Sequence, residues 1–577
     1  MKEGLLVPLL KGETKDSPDL ERITVLQNLC TNSWPPLIGS LTSLSNIVHA
    51  TKALNSLFNG FQNFVIVCCV LQLETPRDAF ITAITKASIP RKKDISLISK
   101  RNVSAMNCLL EIAHTLGNIL SNGWKLVLTS VHSLSLLISS PQLQQLVQMR
   151  DLNQTQPRDS PSSQRRALEL TGDELGDLVS RIDNLFDNSA ELSEESMMFL
   201  LDGLYALNTE KFIEADVASL PPKPFSLSKL EEVVMQNLER AETIWDSLFE
   251  HIKLSVQHSH PTIRSFGADS LGRIIVSMFC YFSNVPIELS ASGETSTPAQ
   301  DEQTLETQIY MQNRLLEALE ENSRSKYNDV RQKTLEALNQ VLQSSGQTIT
   351  KGWPLILSIL MTIAVNHDKP HIVYGFNSVS LICTDFLTNL PLDCLALFIT
   401  TIGCYGLQSA EINVSLTGIG LLLSIADFLG KDSGALSQPL HSGDHAETFS
   451  DPQESTAEGD SGSFAAAPVA RLWISLFTEM KQLCLDQRFE VRNCSLITLV
   501  KTFTTHGQSL EPKTWHQCIW DIFFPMLEEI QAATSAAATD EVSVELGKQG
   551  GRSVKLLVHH SRNSVQKQWN ETVLLSH

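Results

Sequence analysis

Few residues in this sequence have the types and spacing that chemistry requires, and most of them fall in a tract not expected to fold. Residues 459–462 (GDSG) match the serine-centred turn of trypsin-like proteases, which also need a strand-rich scaffold to bring histidine and aspartate to the serine. His441 and His445 have a four-residue spacing that holds a metal ion only on a helix. Residues 430–463 around them are rich in Ser, Gly, Asp and Glu and too poor in large apolar groups to order themselves. We therefore expect neither a protease site nor a metal site here.

The other candidate motifs also have structural explanations. His559 and His560 are adjacent, so on a helix they point in different directions and do not form a ligand pair. Gly418 and Gly420 are followed by three leucines, which indicates a helix interior rather than a phosphate-binding loop. The eleven cysteines are scattered without a CxxC pair, as expected of buried reduced thiols in a cytosolic protein. The sequence predicts no catalytic residue, no cofactor and no metal ligand, and we expect the chain not to be an enzyme.

One local charge feature suggests a binding surface. Residues 86–101 contain six basic side chains and a single acidic one, Asp94. A patch of this kind suits lipid headgroups or an acidic partner, and each residue near a membrane contributes about 1 kcal/mol. The alternative is a solvated loop between two helices. The basic stretch consists of Lys86, Arg91, Lys92, Lys93, Lys100 and Arg101.

Composition limits the classes of partner. The chain has 577 residues, of which 42% are hydrophobic and 19% charged, so it can bury a large core. Its net charge of −20 argues against nucleic acid as a partner, because phosphate neutralisation needs clustered Lys and Arg. The start has too short an apolar core for a secretory signal, and the longest apolar run, residues 64–71, is far below the length of a membrane span. We expect a cytosolic chain with neither nucleic acid nor a small-molecule substrate.

The elements that would position any functional residue are helices, and their sequence pattern repeats along the chain. From residue 330 the chain has leucines at helical spacing, then Gly346, then Trp353 seven residues later. We expect the glycine to take the left-handed backbone that ends a helix. Similar segments begin near residues 101 and 491, and a Val-Arg or Ile-Arg pair typical of HEAT repeats recurs. The markers of the repeat are Gly117, Trp124, Gly346, Trp353, Gly507 and Trp515. Such spacing predicts an all-α solenoid of HEAT/armadillo-like repeats.

Polar tracts divide the predicted solenoid into blocks. Helical repeats are expected over 1–150, 167–284, 304–429 and 464–531, and a terminal helix over 552–577. Linkers are expected at 151–166, 285–303, 430–463 and 532–551, the third of them disordered and acidic. The last helical pattern has no polar capping unit, which solenoids normally require. We therefore expect the sequence to be a fragment of a longer protein.

Five segments of the sequence carry a family resemblance, and the last two of them are its most specific parts. The segments are residues 75–90, 101–128, 329–346, 488–507 (RFEVRNCSLITLVKTFTTHG) and 556–569 (LLVHHSRNSVQKQW). They resemble the Mon-two family, large helical-repeat scaffolds related to the big Arf guanine-nucleotide exchange factors of the Golgi. The resemblance spans most of the chain outside the linkers and covers the middle and later portions of such a protein.

This resemblance implies a peripheral membrane protein of the trans-Golgi network and endosomes that acts in traffic between them. It also implies protein partners, namely a Dopey-family protein, a phospholipid flippase and Arf-like GTPases. The exchange factors use a glutamate that follows a Leu-Pro-Gly turn, and this sequence has no such turn, so that activity is not carried over to any residue here.

The predicted function is a non-enzymatic scaffold or regulator of endosome-to-Golgi and trans-Golgi vesicle traffic, which presents a helical-repeat surface to partner proteins. Two alternatives remain open. An importin-like HEAT-repeat carrier would release cargo in the presence of Ran-GTP, and an Arf-family exchange regulator would accelerate nucleotide release from Arf proteins.

Overall fold

The computed structural model describes residues 18–90, 98–154, 170–214, 224–284, 298–366, 368–431, 463–539, 544–549, 552–556 and 565–576. The chain divides into two compact units, Met1–Ile274 and Ile275–His577, which we call the first and second unit.

The first unit is built from helices joined by short turns. They are α1 (Pro18–Ile47), α2 (Thr51–Val70), α3 (Glu74–Ser88), α4 (Lys100–Leu116), α5 (Gly123–Ile138), α6 (Pro141–Gln154), α7 (Gly172–Asp187), α8 (Glu194–Glu214), α9 (Phe225–Gln236), α10 (Ala241–Val256) and α11 (Pro261–Asn284), the last continuing past Ile274. Helices α2, α4, α7 and α9 contact one another in that order, and α3, α5, α8 and α10 form a second row. Two rows of stacked helices are the arrangement of a solenoid.

The second unit repeats this arrangement. Its helices are α12 (Pro298–Ser323), α13 (Asn328–Ser345), α14 (Trp353–Asn366), α15 (Lys369–Asp385), α16 (Leu392–Leu407), α17 (Ile412–Lys431), α18 (Ser463–Cys484), α19 (Phe489–His506), α20 (Pro512–Gln517), α21 (Phe524–Thr539) and α22 (Val565–Ser576). A π-helical turn, Cys518–Phe523, joins α20 to α21. Helices α12, α14, α16 and α18 form one row and α13, α15, α17 and α19 the other, and α22 packs on α19 and α21. The predicted all-α solenoid is confirmed.

The end of the chain differs from the expected linker and helix. Residues 532–551 were predicted as a linker and 552–577 as one helix, but α21 runs to Thr539 and two antiparallel strands follow it. The strands are β1 (Val544–Gln549) and β2 (Arg552–Leu556), with Gln549 paired to Arg552. The two residues between them in the sequence, Gly550 and Gly551, are of the type that two-residue hairpin turns prefer. That glycine pair was the signal that the linker interpretation missed.

The other block boundaries stay predictions, and two described helices enter expected linkers. Helix α6 extends to Gln154, inside the expected linker 151–166, and α12 begins at Pro298, inside the expected linker 285–303. Most of 430–463 lies outside the described residues.

The three marker glycines occupy equivalent corners between consecutive helices. The reason that glycine is needed there differs from the one expected. Each opens a 3-10 turn after a helix, with a right-handed φ of −46° at Gly117 and −58° at Gly346 and Gly507. The prediction of a left-handed backbone at Gly346 was therefore wrong. Glycine is required because a neighbouring side chain occupies the position of a Cβ atom, which would lie 2.7 Å from Leu192 at Gly117 and against the Phe386 ring at Gly346.

The three marker tryptophans close these corners. Each begins or lies near the start of the next helix, and its indole N–H donates to a backbone carbonyl of the corner. The bonds run from Trp124 to Gly117 (3.0 Å), from Trp353 to Ile349 (3.1 Å) and from Trp515 to Gly507 (2.7 Å). The corner therefore satisfies a carbonyl that a helix end leaves unpaired.

The arginine of the recurring Val-Arg or Ile-Arg pair supplies a second bond of this kind. Its guanidinium donates to the backbone carbonyl six residues earlier, just after the preceding helix. The bond pairs a carbonyl that the helix end leaves without a partner. The bonds join Arg264 Nη1 to His258 O (3.0 Å), Arg331 Nη1 to Ser325 O (2.5 Å) and Arg492 Nη1 to Asp486 O (2.7 Å).

Candidate partner-binding surfaces

The structure describes three of the six residues of the basic stretch. Lys86 is exposed in the last turn of α3. The Lys100 ammonium lies 2.8 Å from a carboxylate oxygen of Glu174, and Arg101 donates from Nε to the Ser45 hydroxyl at 3.3 Å. Burial opposes ionisation of Glu174, but hydrogen bonds from Lys100 and Thr171 outweigh it and lower the pKa of that carboxyl. Lys100 therefore ties α4 to α7 within the first unit.

The other three basic residues, Arg91, Lys92 and Lys93, lie outside the described residues. A lipid or acidic-partner patch in this stretch stays a prediction. Of its three described members, Lys86 is the most exposed to solvent.

Two open cavities on the first unit form a groove that sequence analysis did not identify. The first, of about 340 Å³, lies between the end of α5, the middle of α7 and the start of α9. The second, of about 490 Å³, lies between the end of α7, α9 and α11. Ser228 and Glu232 of α9 line both, so the groove continues from one cavity to the other. We call it the acidic groove.

Carboxylates outnumber cations in the acidic groove. The carboxylates are Asp183, Asp187, Glu231, Glu232 and Asp269, and the cations are Lys229 and Arg273. Lys229 lies 2.8 Å from Asp183 and 2.6 Å from Glu232, and Arg273 makes two bonds to Glu231 at 2.6 and 2.8 Å. Burial alone would lower the pKa of Lys229, but the hydrogen bonds that it donates to Asp183 and Glu232 raise it, so the ammonium stays charged.

The second unit carries an exposed aromatic ladder, formed by His516, Trp520 and Phe524. Their rings follow one another at four-residue spacing, with centroids 6.1 and 5.0 Å apart, across the π-helical turn. Trp520 is 58% exposed and Phe524 44% exposed. A π-helical turn has less favourable hydrogen-bond geometry than an α-helix, and such turns are frequent at functional sites. The ladder is therefore a second candidate contact surface.

Helix α1 exposes a further apolar face. Val25, Leu29 and Ile47 are largely exposed, whereas Ile23 and Cys30 are buried against Leu71. Helix α1 therefore has one side packed against its neighbours and one apolar side exposed to solvent.

The described residues offer little covalent or metal chemistry. They contain no group of three His, Cys, Asp or Glu that could hold a metal ion. All eleven cysteines are free thiols, and burial raises the pKa of Cys68 and Cys108 to about 12. Because the thiolate is the nucleophile, such thiols are unreactive at neutral pH.

The sequence motifs considered first fall in two groups. The protease-like residues 459–462, His441, His445, His559 and His560 lie outside the described residues. Gly418 and Gly420 lie inside α17, as expected, and a Cβ on Gly418 would contact the Gly406 backbone of α16. Gly418 therefore serves close helix packing.

Two helices, Thr51–Val70 (α2) and Ile412–Lys431 (α17), are long and apolar enough to cross a membrane by length and composition, and a bent pair of α5 and α6 passes the same test together. The sequence was expected to hold no such segment, because only its uninterrupted apolar runs were considered. In the structure α2 packs on α3 and α4, and α17 packs on α16 and α19.

Sequence analysis missed the acidic groove because its residues come from four helices far apart in the chain. Charged residues on one helix usually form a solvated face. The available signal was the four-residue spacing of Asp183 and Asp187 and the adjacent pair Glu231 and Glu232.

Two family models match the later part of the chain. A family model described as the C-terminal region of Mon2 protein matches residues 384–577. A second, described as Mon2/Sec7/BIG1-like, HDS, matches residues 301–381. The resemblance seen in the sequence is confirmed.

Relatives extend the match over nearly the whole chain. Protein MON2 homolog of Drosophila melanogaster is 26% identical over 95% of this chain and 34% of its own length. Brefeldin A-inhibited guanine nucleotide-exchange protein 2 of Arabidopsis thaliana is 20% identical over 92% of this chain and 31% of its own length. The chain thus spans about a third of the length of these relatives.

A solved structure of Kap121p bound to Ste12p covers 80% of this chain and 50% of its own, at 11% identity and a TM-score of 0.22. A similarity this low supports no argument about carrier function.

Proposed function

We propose that this chain, a relative of the Mon2 proteins over nearly its whole length, is part of a non-enzymatic scaffold for endosome-to-Golgi and trans-Golgi vesicle traffic. The observation that carries the proposal is the match to Protein MON2 homolog over 95% of the chain. The scaffold would be peripheral on trans-Golgi and endosomal membranes. Its partners would be a Dopey-family protein, a phospholipid flippase and Arf-like GTPases.

The packing supports a role in presentation rather than catalysis. In each unit, two rows of helices stack through buried apolar faces, and glycine–tryptophan corners fix the turn between consecutive helices. A solenoid of this kind offers a long surface on which several partners bind at once. Burial raises the pKa of the Cys68 and Cys108 thiols, and Asp183, Glu231 and Glu232 of the acidic groove pair with cations, so none of these groups is poised to react.

Proximity labelling in cells tests the location and the partners. The chain fused to a labelling enzyme is expected to label trans-Golgi and endosomal proteins, including members of the three partner classes. Labelling confined to the nuclear pore or the nucleus would reject the proposal in favour of a carrier.

The same experiment tests the basic stretch. Charge reversal at Lys86, Arg91, Lys92 and Lys93 is expected to reduce membrane association, because each basic residue near an anionic surface contributes about 1 kcal/mol. A matched reversal of four basic residues that are exposed elsewhere serves as the control, at Lys52, Lys351, Lys501 and Lys513. Equal membrane association of all variants would dismiss the lipid patch.

A second candidate function is contact with an Arf-family GTPase, which the similarity to an Arabidopsis guanine nucleotide-exchange protein favours. We expect binding without exchange, since the sequence has no Leu-Pro-Gly turn before a glutamate. The test measures release of a fluorescent nucleotide from purified Arf proteins. Acceleration by the chain would overturn the non-enzymatic assignment.

A further inference from the structure

We propose that the acidic groove binds a short segment of a partner protein, in which an apolar side chain and a Lys or Arg lie about three residues apart. The proposal rests on the scaffold function, because it names the chemistry of one partner site. It concerns only the first unit, and every residue that carries it is described.

The first cavity of the groove is open, and part of its wall is apolar. Leu136 of α5 and Val179 of α7 line it and are 49% and 40% exposed, with Ile138 and Ile182 buried beside them. Phe225 of α9 completes the wall. A concave site with exposed aliphatic side chains around an aromatic one suits a single apolar side chain of a ligand. Covering these side chains would remove apolar surface from water.

The second cavity supplies charge. The groove as a whole has five carboxylates against two cations, which leaves three negative charges in excess. Lys229 is buried and is already paired with Asp183 and Glu232. Asp187 is exposed at the end of α7, where the helix dipole adds further negative potential, and it has no ion pair among the described residues. A Lys or Arg side chain complements this charge, whereas an anionic lipid surface does not.

The spacing along α7 sets the distance between the two anchors. Val179 lines the first cavity and Asp187 the second, eight residues apart on this helix, which is about 12 Å along its axis. An extended chain advances about 3.3 Å per residue, so this distance corresponds to about three to four residues. Because Ser228 and Glu232 line both cavities, the path between them is open. A segment with the apolar and basic residues adjacent would reach only one cavity.

A peptide-binding experiment with the full chain tests the proposal. The probe is a fluorescein-labelled peptide, GSLSGKRGS, in which leucine precedes lysine by three positions. Control peptides replace leucine by serine, replace the basic pair by two glutamates, or move leucine next to lysine. Fluorescence anisotropy is expected to show binding of the probe about tenfold tighter than that of each control peptide, and weaker as salt is raised.

Variants of the chain locate the binding. Leu136→Ser with Val179→Ser removes the apolar anchor site, and Asp187→Asn with Glu232→Gln removes charge while Asp183 still pairs Lys229. Each double variant is expected to weaken binding of the probe about tenfold. Matched controls on α10, Leu254→Ser and Glu242→Gln, change exposed residues outside the groove and are expected to weaken it less than about twofold.

Hydrogen exchange supplies a readout that does not depend on substitutions. Binding of the probe is expected to protect backbone amides of α7 and α9, and unchanged exchange in the free variants shows that they fold. Three results would overturn the proposal: equal affinity for the probe and the acidic peptide, equal weakening by groove and control variants, or protection outside the groove helices. Any of these leaves the labelling of Golgi proteins unaffected, whereas loss of that labelling with intact peptide binding rejects the scaffold function alone.

Discussion

The corner between α13 and α14 and the corner between α19 and α20 share one sequence signature but differ in how they are enclosed. Both have a glycine that opens a 3-10 turn and a tryptophan whose indole donates to a backbone carbonyl. Trp353 is fully buried, and the Phe386 ring of the following helix pair covers Gly346. Trp515 is half-buried, and its own ring covers Gly507. The signature thus sets the local turn, while the neighbouring pair sets the burial.

The helices that leave the two corners differ in the same way. After Trp353, α14 buries Ile356, Leu357 and Leu360 completely. After Trp515, the chain passes through a π-helical turn and exposes Trp520 and Phe524. The first corner is therefore enclosed within the stack of helices, whereas the second leaves apolar side chains exposed to solvent. The following predictions use this difference.

The largest effect is expected from removal of the enclosed tryptophan. Trp353→Ala deletes a fully buried indole and should reduce the local unfolding free energy by about 3–5 kcal/mol. Trp515→Ala deletes a half-buried indole and should cost about 1–3 kcal/mol. Native-state hydrogen exchange of α13–α15 and of α19–α20 measures both. Equal losses at the two corners would contradict the difference in enclosure.

A smaller effect is expected from a methyl group at the enclosed glycine. Gly346→Ala places a Cβ against the Phe386 ring and should cost about 1–3 kcal/mol through overpacking. The second substitution Phe386→Leu should restore part of that loss by making room. Gly420→Ala is the control, because a Cβ there meets nothing within 4 Å and should stabilise α17 by up to about 1 kcal/mol. A loss at Gly420 as large as that at Gly346 would point to backbone effects instead.

The layer between the two corners contains a buried acid whose effect depends on pH. Glu479 of α18 packs against Gly403 of α16, and burial raises the pKa of its carboxyl, opposed by a hydrogen bond from Thr400. A raised folded pKa gives stability that is complete below the ordinary value of 4.5 and is lost as pH rises through the folded value. Glu479→Gln should therefore stabilise the chain by about 1 kcal/mol at neutral pH and not at about pH 4. A gain that is the same at both pH values would exclude burial of the charge as its cause.

The smallest effect on stability is expected at the open corner. Trp520→Ala removes an indole that is mostly exposed, so its local unfolding free energy should change by less than about 0.5 kcal/mol. Phe477→Ala, which removes a buried ring of α18 in the same unit, is the comparison and should cost about 3–5 kcal/mol. A large loss from Trp520→Ala would mean that the aromatic ladder supports the fold.

The sequence alone predicted the helical repeat. It predicted neither the contacts that require glycine at the corners nor the surfaces that the packed helices form. Glycine and tryptophan in register predicted equivalent corners, because the two residues recur at nearly the same spacing in three segments. The backbone at Gly346 was predicted wrongly, since the ring that excludes a side chain there, Phe386, lies forty residues away in the chain. The hairpin was overlooked because short alternating strands give a weak signal beside long helices. The acidic groove depends on which faces of α5, α7, α9 and α11 meet, and periodicity on single helices does not determine that.

The most direct test of the account is hydrogen exchange at the indole N–H groups of the chain's eight tryptophans, labelled with ¹⁵N and assigned by single substitutions to phenylalanine. The indoles of Trp124, Trp353 and Trp515 donate to carbonyls at equivalent corners, so all three should exchange slowly, and that of exposed Trp520 should exchange fast. Exchange of any of the three corner indoles as fast as that of Trp520 would contradict the claim that these corners are copies of one stacking unit.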